Sequence, residues 1–186
     1  MHTAPEQIYL IASTLSALAT IVLVSVIAWF DHQEYRIPNR AVCALGLSGL
    51  LFAALRSILD RFIITDTWPV YRLEPQLGGS VAGGIVAFMF CYAFWRIGKM
   101  GGGDLKLASA LGFTVGLLYV MQILVVAHVL AFAVVCWDRL TVVAKSTFLS
   151  WRGQHSGRPS LDSTPSLAMG PFYAASVLFL FLGELQ

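Results

Sequence analysis

Long apolar runs separated by short polar stretches dominate the chain. Six such segments can be drawn, at 8–30, about 41–59, 77–95, 104–118, 119–137 and 167–185. A membrane-spanning helix needs about 20 apolar residues, and the first run meets that length. No Lys or Arg precedes Arg36, whereas a cleaved signal carries a basic start and a shorter apolar core. The first run therefore reads as a retained helix. The fourth and fifth segments abut. As one straight helix they would be about 51 Å long at 1.5 Å per residue, well beyond a hydrocarbon core of about 30 Å. A tight turn is expected near 116–121. The pattern predicts an all-α polytopic membrane bundle of about six transmembrane helices, with 1–186 forming a single domain.

Within this frame, 52–64 contains Arg56 and Arg61 and reads as an interfacial helix. The stretch 152–166 mixes Gly153, Gly157, Pro159 and Pro165 with serines and reads as a flexible connector. Gly79 with Gly83, and Gly112 with Gly116, repeat the GxxxG spacing that lets helix backbones approach closely in lipid.

Composition agrees with lipid as the solvent. Hydrophobic residues make up 58% and charged residues 12%, against about 25% charged in soluble domains. A net charge of +2 gives no reason to invoke nucleic acid. Cys43, Cys91 and Cys136 lie in apolar stretches with no CxxC pairing, so they read as buried thiols rather than a zinc or redox motif. His2, His32, His128 and His155 have no metal-ligand spacing. His128 reads as a hydrogen-bonding group inside the bundle, and His32, Glu34 and Arg36 as interfacial or solvated. No metal or cofactor is called for.

The placement of charge gives the topology. Nine of the twelve basic residues fall in 31–40, 95–106 and 138–166; Arg56, Arg61 and Arg72 are the remainder. Lys and Arg concentrate on the cytoplasmic side. Those three connections are expected in the cytoplasm and both termini outside it. Trp29, Trp95 and Trp137 lie near the cytoplasmic helix ends and fit an aromatic belt.

Asp31 follows the first apolar run and Asp104 opens the fourth, so this topology brings both to one membrane face. Carboxylates at membrane depth are costly and tend to mark function. An Asp at either position alone has an ordinary role, reaching water or capping a helix. Gly101, Gly102 and Gly103 before Asp104, however, permit a sharp bend or a close approach. Two neighbouring carboxyls sharing one proton can both activate a water and protonate an amide. From the helix ends alone, Asp104 is expected as the ionised base and Asp31 as the acid.

Asp31-His-Gln-Glu-Tyr-Arg-Ile37-Pro38-Asn39 resembles the first active-site motif of the type IV prepilin peptidase family, an Asp upstream of an apolar-Pro-Asn turn. Gly101-Gly102-Gly103-Asp104-Leu105-Lys106 resembles its GxGD motif, and Met169-Gly170-Pro171-Phe172 resembles the opening of its last helix. The resemblance implies an intramembrane aspartic endopeptidase with Asp31 and Asp104 as the catalytic pair. It also implies Pro38, Asn39, Gly101, Gly103 and Lys106 as supporting residues, and a prepilin or pseudopilin precursor as substrate, cleaved at the cytoplasmic face of the inner membrane. Lys106 reads equally as an interfacial anchor or a contact to acidic substrate. The absence of paired CxxC motifs resembles the compact members that serve Flp-type or archaeal-type pili without N-methylation. Two other classes compete: a small proton- or cation-coupled transporter, and a non-catalytic pilus-assembly subunit. Oligomeric state is left open.

Overall fold

The computed structural model describes residues 4–34, 36–62, 76–98, 100–151 and 169–183. Among these it is all-helical: α1 (Ala4–Glu34), α2 (Asn39–Phe62), α3 (Leu77–Arg96), α4 (Gly102–Trp151) and α5 (Gly170–Gly183). Four stretches are long and apolar enough to cross a membrane: Thr14–Glu34, Asn39–Ile58, Leu77–Arg96 and Gly102–Ala144. Gly170–Leu182 is a shorter apolar helix.

Local sequence sets the helix ends. After Pro5, α1 contains neither Gly nor Pro. It stops short of Ile37, whose helical conformation the following Pro38 disfavours. Pro38 then serves as the turn: its carbonyl accepts from the N–H groups of Ala41 at 3.1 Å and Val42 at 3.2 Å, starting α2. Gly98, with φ of 71°, closes α3 in a left-handed conformation suited to glycine. Inside α4 the backbone leaves helical geometry at Gly116 (φ 79°, ψ −179°), so the expected break between the fourth and fifth segments falls at the first residue of the predicted window.

Three boundaries depart from the sequence pattern. α1 runs through Asp31 to Glu34, so this aspartate lies within the last turn of the helix. α2 continues unbroken to Phe62, with no separate interfacial helix at 52–62, because no Gly or Pro interrupts it there. α4 carries on past 138 to Trp151, since the first breaker beyond Cys136 is Gly153. The connector at 152–166 and Arg72 lie outside the described residues.

α4 is the hub, packing against α3, α2 and α5, while α1 packs against α5 and α2. The core holds Ile27, Leu45, Leu107, Leu111, Ile123, Leu124 and Tyr173, all fully buried. The outside is just as apolar: Leu51, Leu118, Phe132 and Trp137 stand exposed, as a lipid-solvated helix requires. Trp29 and Trp95 are exposed too. Cys43 is on this outer surface and Cys136 is half-buried, so only Cys91 is a core thiol. In lipid an exposed thiol carries no solvation penalty that would drive it inward.

Glycines make the α3–α4 contact. A Cβ on Gly83 would sit 2.6 Å from the Gly112 carbonyl oxygen and from the Gly116 carbonyl carbon. Of the two expected GxxxG pairs, Gly83 and Gly112 make the close approach, with Gly84 beside them, while Gly116 leaves helical geometry. Gly49 gives α2 the same close approach to Thr114, whose hydroxyl donates across to the Leu45 carbonyl at 3.2 Å. His128 directs Nδ1 at the Leu124 carbonyl of its own helix, 2.6 Å away, with its ring against Phe90 and Phe94.

Candidate active site

Asp31, in the last turn of α1, is 5% exposed, and Asp104, in the first turn of α4, is 9% exposed. Few polar side chains are buried in this bundle, and these two carboxyls act on each other electrostatically across the gap between α1 and α4. The fold thus brings together the two aspartates singled out in the sequence.

Each glycine of 101–103 has a distinct steric situation. A Cβ on Gly101 would lie 3.0 Å from Oδ2 of Asp104, and a Cβ on Gly103 would lie 3.2 Å from Ile37. Gly102 would meet only Trp95, at an ordinary 3.7 Å. Gly101 therefore leaves room for the Asp104 carboxyl, and Gly103 lets the Ile37–Pro38 turn seat against the start of α4. The Lys106 ammonium donates to Oδ1 of Asn39 at 3.0 Å. Lys106 thus ties α4 to the turn after Pro38. Glu34, Arg36 and His32 are exposed.

The residue that sequence reasoning did not place in the site is Gly170. Its N–H donates to Oδ2 of Asp31 at 2.7 Å. A Cβ there would fall 2.8 Å from that same oxygen and 3.1 Å from the Ala28 Cα, so the approach requires glycine. The first N–H groups of a helix lack partners within it, and negative charge is favoured beside them. The signal was the Gly170-Pro171 pair: Pro is favoured at a helix start, where free N–H groups gather. The start of α5 also alters the field around the pair. Asp104 sits at the N-terminus of α4, whereas Asp31, in the last turn of α1, also meets the N-terminus of α5, which offsets the field of its own helix end.

Among the described residues no three His, Cys, Asp or Glu side chains converge as a metal-binding group. What the arrangement offers is acid–base chemistry from two carboxyls buried among helices.

Fold and site together define a helical membrane protein organised around a buried carboxyl pair. The chain belongs to the type IV leader peptidase family, whose model matches residues 18–136. It is similar to the prepilin leader peptidase/N-methyltransferase of Vibrio cholerae serotype O1, at 37% identity over 106 residues, covering 47% of this chain and 42% of that protein. The chain thus spans less than half the length of this relative. No solved structure matches it.

Proposed function

We propose that the protein is an intramembrane aspartic endopeptidase that removes the leader of type IV prepilins or pseudopilins of the Flp kind, with Asp31 and Asp104 as its catalytic pair. The observation that carries this is the burial of both carboxyls at one site, each beside a helix start. The site lies at the cytoplasmic face of the inner membrane, with both termini outside, as the clustering of Lys and Arg at 31–40, 95–106 and 138–166 supports.

Like charges held close cannot both ionise readily, so the pair shares one proton. The ionised carboxyl takes a proton from water as that water attacks the scissile carbonyl. The protonated carboxyl gives its proton to the carbonyl oxygen. Collapse of the tetrahedral species then delivers a proton to the departing amine, restoring the singly protonated pair. The Gly170 N–H on Asp31 offsets the unfavourable end of α1, which suits an exchange of roles between the two carboxyls. The pH–rate profile accordingly belongs to the pair as a unit. Gly101 and Gly170 supply the room and the N–H that orient the two groups, and Lys106, Asn39 and Pro38 hold the turn between α1 and α2 against α4.

The test is co-expression of a Flp-type pilin precursor with wild type, Asp31→Asn and Asp104→Asn, followed by gel mobility and N-terminal sequencing. Both amides should accumulate full-length precursor. Processing by either one at the wild-type rate would end the two-aspartate mechanism. Incubating the purified protein with cleaved pilin and S-adenosylmethionine should leave the new amino terminus unmethylated.

A further inference from the structure

Tyr173 stands on α5, three residues after Gly170 and so on the same face of the helix. It is 0% exposed, and its hydroxyl oxygen makes no hydrogen bond. The titratable groups facing it are Cys91 from α3 and Asp104 from α4; Asp31, from α1, faces Asp104 in turn. The Cys91 thiol lies beside the hydroxyl and is itself buried. Sulfur is a weak acceptor, and the contact lacks hydrogen-bond geometry, so it leaves the O–H unsatisfied. A buried donor without a partner is costly, whereas phenylalanine would fill nearly the same volume without that cost. Of the groups facing the hydroxyl, Asp104 is the carboxyl, and a carboxylate satisfies an O–H more fully than sulfur does.

We infer that Tyr173 is a positioning residue of the site, its hydroxyl donating to the Asp104 carboxyl, directly or through one water, and aiming that carboxyl at the peptide bond. The inference rests on the two-aspartate mechanism. It makes α5 act on both acids: the Gly170 backbone holds Asp31, and one turn later the Tyr173 hydroxyl holds Asp104. The last helix then sets the geometry of the pair while contributing neither carboxyl.

The experiment measures kcat, KM, thermal midpoint and pH–rate profile of the full-length protein on the pilin precursor. The variants are Tyr173→Phe, Tyr173→3-fluorotyrosine, Cys91→Ala, Asp31→Asn and Asp104→Asn. Tyr173→Phe should lower kcat about tenfold, as expected for losing one hydrogen bond to a charged group, and displace the pH–rate limbs. Its KM should stay within about twofold and its midpoint should match wild type. The fluorinated tyrosine, which keeps the hydroxyl, should restore kcat, and Cys91→Ala should match wild type. Wild-type kcat and pH profile in Tyr173→Phe would overturn the inference. So would a loss that Cys91→Ala reproduces, or one that the fluorinated residue fails to rescue. Activity surviving in either Asp→Asn variant would instead remove the two-aspartate mechanism, whatever Tyr173→Phe shows.

Discussion

The two aspartates are carried by differently built parts of the bundle. On the Asp104 side, α3 and α4 meet backbone to backbone through Gly83, Gly84 and Gly112, and Thr114 hydrogen-bonds α4 to α2. On the Asp31 side, α1 meets α5 at a functional group, with the Gly170 N–H on the carboxylate itself. The first contact is steric and serves stability. The second is polar and ends on a carboxyl oxygen of the proposed catalytic pair. Close packing can therefore fix one acid as part of a scaffold, while the other is oriented by the helix that joins the chain last.

That contrast can be broken at its ends first. Asp31→Asn and Asp104→Asn should each lower precursor cleavage by about a thousandfold, within the range general acid–base groups supply, as read by initial rates on purified protein. Gly170→Ala comes next. Its new methyl must displace the Asp31 carboxyl and press on the α1 backbone at Ala28, and a misplacement of about 1 Å can cost about a hundredfold in rate; the thermal midpoint should fall less than in Gly83→Val. Gly83→Val should do the reverse, lowering stability by about 2–3 kcal/mol through overpacking, measured by denaturation in detergent, while molecules that remain folded keep a near-normal kcat. If Gly170→Ala unfolds the protein, or Gly83→Val leaves its midpoint unchanged, the division between a scaffold side and a reactive side is wrong. The smallest effect is expected at Lys106. Its bond to Asn39 is exposed, so Lys106→Met should cost less than about fivefold in kcat/KM, and combining it with Asn39→Ala should add little.

Much of this was legible in the order of residues. Apolar runs located the helices, because lipid demands nearly continuous hydrophobicity. The break within α4 followed from length alone, and Gly116 then supplied the positive φ that the bend uses. Asp31 and Asp104 stood out as carboxyls at the ends of apolar runs. What periodicity and charge could not supply were contacts fixed by tertiary approach. That the Gly170 N–H meets Asp31 depends on where α5 docks, and that Lys106 meets Asn39 depends on how the Pro38 turn lies on α4. The reach of α4 to Trp151 was also missed, since polar residues after 138 imitate a loop while nothing there stops a helix.

The kink at Gly116 leaves α4 with a stub at 102–115, about 21 Å long at 1.5 Å per residue. A bilayer's hydrocarbon is about 30 Å thick, so roughly 9 Å beside that stub must be made up by thinned lipid or entering water. Asp104 occupies the first turn of the stub. On the proposed mechanism water then has a short way to travel to that carboxyl, and acyl-chain length becomes a variable that acts on cleavage: thinner membranes relieve the mismatch at the stub, thicker ones deepen it.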